Sequence, residues 1–360
     1  MKKGLKFLIF IIAFCLLTVM SAKNIFINSS GKSGIKYGYV DKTGHVVIKP
    51  QFDDSGEFKE GLAYACIYKK CGYINKMGEF IIKPQYEGAS NFREDLAAVR
   101  IDGKYGYINK VGKFVIKPQF IFAGEFHEDL ACVLIKDGSK FKEGYIDKTG
   151  KILRTFPHDE IFYSTISDFY NGIASIRVNK KYGFINKKGE IVIKPQFGDV
   201  FSNYEYFETI LIPVRTNNHR WNYVNSTGKF VIGLQFDNAY PFKEGVALVQ
   251  VENKWGYIDK TGGFVIKPQF DNAGHFGEGL APIILNNKRG YINKKGEIVI
   301  KPKFGKLRYP NDGIFYEQRA VVTINNKEGF IDKSGILVIN PVFDDAKNFS
   351  EGLVKVGIKR

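Results

Sequence analysis

The sequence predicts an all-β protein, built as a tandem array of about nine three-stranded β-units. One short motif recurs in register along most of the chain, and the composition is rich in glycine and aromatic residues, with 38 Gly, 31 Phe and 20 Tyr in 360 residues. Strands favour aromatic and β-branched residues, and tight turns favour glycine. A hydrophobic fraction of 44% is too high for a disordered chain.

The repeated motif is a Gly-Tyr pair followed by a turn that ends in glycine. The first copy, from Gly38 to Gly44, reads GYVDKTG, and the second begins at Gly72 and reads GYINKMG. Nine copies begin at Gly38, Gly72, Gly106, Gly144, Gly183, Asn222, Gly256, Gly290 and Gly329. Successive copies are 34 residues apart, or 38 to 39 where loops are longer. A fixed period of this length is typical of repeat architectures.

One unit is expected to contain three strands. Lys104–Asn109 and Lys113–Lys117 form a hairpin, because Asn109 at the first position and Gly112 at the fourth suit a type I turn with glycine left-handed. Pro118 removes a backbone donor and is expected to end the second strand. Leu130–Ile135 follows as the third strand.

Stacking of the units is expected to bury three recurring aromatic positions. In the third copy these are Tyr107 after the glycine, Phe120 in the KPQF segment and Phe126 before the turn that reads Glu-Gly in most copies. Three short strands cannot bury an apolar face alone, but neighbouring copies can cover one another. A row of carbohydrate-stacking aromatics is the alternative.

Two architectures are compatible with such a stack. An open solenoid of β-hairpins is favoured, because a closed β-propeller usually has four-stranded blades and about 4 to 8 of them. Three strands and nine copies fit the propeller less well. Propeller-like closure remains the alternative.

The N-terminus predicts export. Lys2, Lys3 and Lys6 precede an apolar run from Phe7, and Ser21-Ala22 offers a cleavage site, so residues 1–22 are interpreted as a signal peptide. Residues 23–35 then form a short linker, and residues 36–360 form the repeat domain. We expect no transmembrane span in the mature chain, and a location in the periplasm, at the cell surface or outside the cell.

The repeat resembles the WG (or KWG) repeat family of bacterial proteins. The best copy, residues 254–281, reads KWGYIDKTGGFVIKPQFDNAGHFGEGLA. Only Trp221 and Trp255 supply the tryptophan before the glycine position, and these two are candidate aromatic contacts. The resemblance implies a repeat architecture and, by analogy, an extracytoplasmic binding or scaffolding module.

No enzyme is predicted, and neither a cofactor nor a metal site is expected. The five histidines lack metal-ligand spacing, and no nucleophile motif occurs. His127 and His275 lie near the Phe-x-Glu turn of different copies and are expected to be exposed turn residues. The turn carboxylates repeat with the unit, which indicates a structural role.

Cys66 and Cys71 flank a presumed four-residue hairpin loop, Ile67 to Lys70. They are therefore expected to face each other on paired strands, where a disulfide is possible in an exported protein. Two unpaired thiols are the alternative.

The formal charge of +16 favours binding to a polyanion, and two repeated sets of lysines are candidates for this role. One candidate polyanion-binding set precedes the proline of the KPQF segment, at Lys49, Lys83, Lys117, Lys194, Lys267 and Lys301. A second set occupies the hairpin turn, at Lys42, Lys76, Lys110, Lys148, Lys187, Lys260, Lys294 and Lys333. Either set could form a basic stripe that releases counter-ions on a polyanion, or simply a solvated surface that guards strand edges.

These observations predict a binding module for a glycan or anionic envelope polymer. The alternative is a protein–protein scaffold that docks partners through insertions at 201–209 and 306–317. Nucleic acid is not an expected partner, because the chain is predicted to be exported.

Overall fold

The structure, a computed structural model, describes residues 34–157, 166–201, 211–305 and 312–359. These residues form short antiparallel sheets, each with a hairpin at its centre. The predicted signal peptide lies outside the described residues, as do most of the linker and much of both insertions. The first strand begins at Ile35, one residue inside the predicted linker.

The strands in chain order are β1 (Ile35–Asp41), β2 (Val46–Phe52), β3 (Asp54–Ser55), β4 (Ala63–Ile67), β5 (Lys70–Ile74), β6 (Phe80–Tyr86), β7 (Gly88–Ala89), β8 (Ala97–Ile101), β9 (Lys104–Ile108), β10 (Phe114–Phe120), β11 (Phe122–Ala123), β12 (Ala131–Asp137), β13 (Lys140–Ile146), β14 (Ile152–Pro157), β15 (Ile173–Val178), β16 (Lys181–Asn186) and β17 (Ile191–Phe197). They continue as β18 (Asp199–Val200), β19 (Ile212–Arg215), β20 (Trp221–Val224), β21 (Asn238–Lys243), β22 (Val246–Val251), β23 (Lys254–Ile258), β24 (Phe264–Phe270), β25 (Asn272–Ala273), β26 (Leu280–Leu285), β27 (Lys288–Asn293), β28 (Ile298–Phe304), β29 (Ala320–Ile324), β30 (Lys327–Ile331), β31 (Leu337–Phe343), β32 (Asp345–Ala346) and β33 (Leu353–Lys359).

The described strands assemble into nine sheets, which are the blades of a β-propeller. Blade 1 has the strand order β2-β1-β33-β32, so it combines the two ends of the chain. The other blades are consecutive: β3–β6, β7–β10, β11–β14, β15–β17, β18–β20, β21–β24, β25–β28 and β29–β31 form blades 2 to 9. In the described residues no helix is long and apolar enough to cross a membrane.

The favoured open solenoid is therefore wrong, and the alternative, propeller-like closure, describes the ring. Strand β33 pairs with β1 along its whole length, from Ile35 opposite Lys359 to Asp41 opposite Leu353. The physical reason is an offset between the sequence unit and the blade. Each blade takes its outer hairpin from one sequence unit and its third strand from the preceding unit, so the first hairpin needs the last strand as its neighbour.

The structure also contains a short fourth strand that the sequence analysis did not predict. In seven of the described blades, two or more residues after the KPQF-type segment pair with the third strand, as Phe122 does with Leu134 and Ala123 with Val133. The expectation that Pro118 ends the second strand is wrong as well, because β10 runs to Phe120. The proline is accommodated in a bulge.

The bulge explains why the motif carries a glycine at its first position. On β9, Tyr107 lies opposite Ile116 and Tyr105 lies opposite Phe120, so Lys117, Pro118 and Gln119 form the irregular segment between them. A Cβ atom on Gly106 would lie 2.5 Å from the Ile116 carbonyl oxygen and 2.7 Å from the Pro118 nitrogen. Only a glycine leaves room for the chain to pass this closely.

The one copy without this glycine supports the same explanation. Asn222 takes its place, and the segment corresponding to KPQF in that copy reads Gly233-Leu234-Gln235-Phe236, with neither lysine nor proline. This segment forms only isolated bridges, from Phe230 and Phe236, rather than a strand. In this copy the glycine and the Lys-Pro bulge are therefore lost together.

The prediction of an aromatic core is confirmed. Tyr107, Phe120 and Phe126 are all buried, and so are their counterparts in the other described copies. The rings of Tyr107 and Phe126 meet edge to face at 4.8 Å, and the Tyr107 hydroxyl donates a 2.8 Å hydrogen bond to the Gly124 carbonyl of the next blade. Apolar burial and a satisfied hydroxyl thus join neighbouring blades at the same place.

The ring has two different ends. The hairpin turns such as 109–112 and the Glu-Gly turns meet at one end, which we call the glutamate face. The two-residue turns between the third and first strands lie at the other end, which we call the hairpin face. Both residues of turns such as Glu252-Asn253 and Asn286-Asn287 have positive φ, which suits the twist of a tight hairpin.

The expectation that His127 and His275 are exposed is wrong, because they are only 5% and 2% exposed. His127 packs against Tyr170, and its Nε2 lies 3.6 Å from an Asp168 carboxylate oxygen. Burial, and then the charge of Arg93, outweigh that carboxylate and lower the His127 pKa to about 3.

Burial has the same effect on the second histidine. His275 packs against Tyr240, and burial followed by the charge of Lys243 lowers its pKa to about 3. An unfolded histidine has a pKa of about 6.5, so between pH 6.5 and pH 3 the unfolded chain binds more protons than the folded one. Folding stability is therefore complete above pH 6.5 and falls as the pH drops.

We expect each buried histidine to cost about 1.4 kcal/mol of stability per pH unit between pH 6 and pH 4.5. Urea unfolding at several pH values should show this slope in the native chain and a flatter one in the double variant His127→Asn/His275→Asn. His45 and His219 are exposed, so their double Asn variant is the control. Equal slopes in the native chain and the buried-histidine variant would contradict the prediction.

Candidate functional site

A network of glutamates and lysines occupies the glutamate face. The Glu60 carboxylate of blade 2 accepts a 3.1 Å hydrogen bond from the backbone N–H of Asp95 in blade 3, and it lies 3.0 Å from the Lys110 ammonium of blade 3. Hydrogen bonds to Asp95 and Glu60 raise the Lys110 pKa, which keeps this lysine charged.

The same contact recurs around the described part of the ring, including across its closing seam. The Lys–Glu pairs are Lys42–Glu317, Lys76–Glu351, Lys110–Glu60, Lys148–Glu94, Lys187–Glu128, Lys294–Glu244 and Lys333–Glu278, at 2.9 to 3.3 Å. For Lys260 the corresponding turn of the preceding copy falls at 202–210, outside the described residues. The lysines in these pairs therefore link neighbouring blades through ion pairs. They do not form a stripe of uncompensated positive charge.

The lysines before the proline behave differently. Lys49, Lys83, Lys117, Lys194, Lys267 and Lys301 are all exposed, and none is paired with a carboxylate among the described residues. They lie in the bulge of an edge strand in six blades. Lysine, proline and a bulge are each known to protect a strand edge from pairing with another chain, so these residues also keep the perimeter of the ring soluble.

The two tryptophans occupy the interfaces between strands. Trp255 is 8% exposed, and its ring centroid lies 5.8 Å from that of Tyr240. Trp221 is half-buried against the core cluster around Tyr223. Their positions suit packing, and Trp255 offers little surface to a ligand.

Cys66 and Cys71 lie directly opposite each other on β4 and β5, with their Cα atoms 3.9 Å apart, and the structure joins them in a disulfide. The hairpin between them is tighter than expected. Ile67 pairs with Lys70, so the turn consists of Tyr68 and Lys69 alone. Cys132 has a free thiol, and burial raises its pKa well above the usual value.

A third basic series was missed from the sequence. It lies on the hairpin face, where each blade places one basic residue near the start of its first strand. The series is Lys36, Lys70, Lys104, Lys142, Lys181, Arg220, Lys254, Lys288 and Lys327. In the sequence, the series corresponds to a basic residue two positions before the glycine of the motif. Only the structure shows that these residues all lie on the same face of the ring.

Comparison with known families identifies the chain. The model described as the WG containing repeat matches nine segments, at 37–71, 72–105, 105–138, 163–182, 182–218, 221–255, 255–288, 290–327 and 329–358. The chain is a WG-repeat protein. The resemblance seen in the sequence is thereby confirmed, and these matches span nearly all of the described ring. No curated protein matches the chain.

Solved structures similar to this WG-repeat protein are distant in sequence. A crystal structure titled as the eukaryotic initiation factor is 12% identical and has a TM-score of 0.54, with 78% of this chain and 84% of that chain covered. The C-terminal WD40 domain of Sif2 is 9% identical at a TM-score of 0.40, covering 74% and 93%. The first similarity shows the fold alone.

No metal site is formed by the described residues, where no group of three or more His, Cys, Asp or Glu side chains is placed to hold an ion. The described surface carries two repeated sets of basic residues, the exposed lysines of the bulges and the basic series of the hairpin face.

Proposed function

We propose that this WG-repeat protein is an exported, non-enzymatic binding module for an anionic polymer of the cell envelope. The closed ring supplies a rigid frame, and the partner binds to side chains that the frame leaves exposed. Export is inferred from residues 1–22 of the sequence, and it directs the proposal to envelope polymers rather than nucleic acid.

One observation carries the proposal. The lysines of the hairpin turns are neutralised by glutamates of the neighbouring blade, whereas the lysines before the prolines keep their charge exposed. Both sets recur with the repeat, so repetition alone does not explain the difference. An exposed, repeated positive charge on a rigid ring favours a polymer whose negative charges also repeat.

The binding energy in such a complex comes mainly from counter-ions released from the polymer. Affinity then falls steeply with salt, by a slope of roughly 0.7 to 0.9 in log K against log salt for each lysine in contact. A glycan stacked on aromatic rings would show little salt dependence. Salt dependence therefore separates the two polymer classes.

We expect the mature chain, residues 23–360, to co-sediment with purified cell envelope and to be released as salt increases. Replacement of Lys49, Lys83, Lys117, Lys194, Lys267 and Lys301 by Gln should weaken binding at least about tenfold at low salt and flatten the salt slope. The control replaces six exposed lysines of the glutamate-face turns, Lys113, Lys151, Lys188, Lys229, Lys260 and Lys295, and changes the net charge equally.

Two results would overturn the proposal, and a third would overturn its assignment to the bulge lysines. Absence of binding at low salt would exclude the envelope polymer as partner. Binding that resists salt would exclude a polyanion and point to glycan or protein contacts. Equal losses in the two lysine variants would show that net charge, rather than the bulge lysines, controls the affinity.

A further inference from the structure

The basic series of the hairpin face is not uniform around the ring. In four blades the basic residue forms an ion pair with an aspartate that follows the second strand of the same sequence unit. These pairs are Lys36–Asp53, Arg220–Asp237, Lys254–Asp271 and Lys327–Asp344, and the last two have N–O distances of 2.7 Å. The hydrogen bond from its partner is the first cause that lowers the pKa of Asp53, Asp271 and Asp344.

Three of the members without a carboxylate partner lie close together in the ring. Lys70, Lys104 and Lys181 belong to blades 2, 3 and 5, and no carboxylate among the described residues pairs with any of them. In blade 4 the series member, Lys142, lies 2.6 Å from Asp137, but that hairpin is longer and carries an additional exposed lysine, Lys140, without a described carboxylate partner. Lys181 instead donates a hydrogen bond to the side-chain oxygen of Asn217 in the next blade. Lys288 of blade 8 is also without a carboxylate among the described residues, but the blades beside it are paired.

The sequence explains why these blades differ. The position that holds aspartate in the paired blades is Ile121 after blade 3 and Gly198 after blade 5. After blade 2 it is Glu87, which instead contacts Arg100 at 3.7 Å and accepts a 3.1 Å hydrogen bond from the Gly103 N–H. In these three blades the neutralising carboxylate has therefore been replaced or engages another partner. The corresponding position in blade 4, Asp159, lies outside the described residues.

Other charges in the same arc strengthen the asymmetry. Lys69, Lys136 and Lys180 are exposed, and none is paired with a described carboxylate. Of the acidic groups on this arc, Glu87 is engaged by Arg100, and Asp137 lies 2.6 Å from Lys142, which leaves Asp102 exposed in the turn. Among the described residues of this arc, exposed lysines without a carboxylate partner thus outnumber exposed carboxylates without a cation partner.

We propose that this arc, the hairpin face of blades 2 to 5, is a binding surface for a linear polyanion with repeating phosphate groups. The inference rests on the proposed function: it names the ligand class and adds, beside the bulge lysines, a second surface that the polymer contacts. Phosphate is favoured over carboxylate because lysine binds as a point charge with three donors, which suits a phosphate oxygen approached from several directions.

A linear ligand fits the arc better than a planar one. A flat anionic membrane would meet all the hairpins of this face, including the blades whose basic residues are already neutralised by aspartate. A chain can instead follow the four adjacent blades and exchange its counter-ions for their lysines. The side chain of Tyr68, 89% exposed at the tip of one of these hairpins, is placed to contact such a chain.

The test uses the mature chain and a fluorescent long-chain inorganic polyphosphate as the probe. The quadruple variant Lys70→Gln/Lys104→Gln/Lys140→Gln/Lys181→Gln is compared with Lys36→Gln/Arg220→Gln/Lys254→Gln/Lys327→Gln, which removes the same number of positive charges from the same face of the paired blades. We expect the arc variant to bind at least about tenfold more weakly and to lose roughly 3 from the salt slope. The control should stay within about threefold of the native chain, because its cations are already paired.

The outcomes separate this inference from the proposed function. Equal losses in the two variants overturn the arc as the binding surface, and so does a native chain that binds cell envelope but not polyphosphate. Failure to bind either overturns the proposed function itself. Vesicles with 30% phosphatidylglycerol serve as the planar probe, and tighter binding to them than to polyphosphate overturns the choice of a linear ligand. Thermal unfolding of both variants confirms that they are folded.

Discussion

Removal of strand β33 should abolish cooperative unfolding of the repeat domain. The strand pairs with β1 over seven residues and buries Leu353, Val354 and Val356. Burial of three such side chains is worth about 5–9 kcal/mol, which is comparable to the whole stability of many domains. A chain that ends at residue 352 should therefore show a broad, low-temperature transition in circular dichroism.

The seam also contains an ion pair that the truncation would break. Lys355 is nearly buried, its ammonium lies 2.9 Å from an Asp54 carboxylate oxygen in the next blade, and it stacks over the Tyr37 ring at 4.1 Å. Loss of β33 leaves Asp54 without this partner. A buried polar group that loses its partner adds to the cost.

A circular permutant provides the matched control. Ile35 and Lys359 are paired neighbours, so β33 ends and β1 begins where the other blades have a two-residue turn. A chain joined at this point by a short linker, with new ends between Asp102 and Gly103, keeps every strand pair. We expect its unfolding midpoint to remain close to that of the native chain, and a collapse as severe as that of the truncated chain would contradict the role assigned to the seam.

The second large effect is expected from Gly106→Ala. The added Cβ would lie 2.5 Å from the Ile116 carbonyl oxygen, so the backbone of the bulge must move. Overpacking against backbone costs about 1–3 kcal/mol, and occasionally more, and we expect the upper part of this range. Urea unfolding monitored by fluorescence would measure the change in the free energy of unfolding.

Two controls separate the bulge from a general effect of alanine. Gly233 lies in the copy without the bulge, and a Cβ atom added there would meet no atom within 4 Å, so Gly233→Ala should be neutral or slightly stabilising. Asn222 occupies the same strand position as Gly106, where its side chain already fits, and Asn222→Ala should lose only the 2.7 Å hydrogen bond from the Tyr223 N–H. A Gly106→Ala variant as stable as these two would contradict the packing explanation.

The repeat, its strands and its aromatic core could be predicted because they depend on local patterns. Tyr107 and Phe126 recur at fixed positions, and burial of both follows from stacking whatever the overall curvature. Curvature itself does not follow from such patterns. It results from the angle between blades, and the decisive contact, β1 with β33, joins residues at opposite ends of the chain.

The site was only partly predictable for a related reason. A lysine in the turn and a lysine before the proline both recur with the repeat, but Lys110 meets Glu60 of the preceding blade and Lys117 meets no described carboxylate. The pairing depends on the three-dimensional distance between turns. The same is true of His127 and His275. They were predicted to be exposed because they are polar turn residues, but the packing of the next blade buries them.

The offset between sequence unit and blade has a consequence for how such rings evolve. Because every unit supplies a hairpin to one blade and a strand to the next, gain or loss of one whole unit by gene duplication or deletion leaves the join between the first and last strands unchanged. Insertion of a partial unit would leave a hairpin or a strand without its neighbour. The number of blades can therefore change only by whole sequence units, and the ring remains closed after each such change.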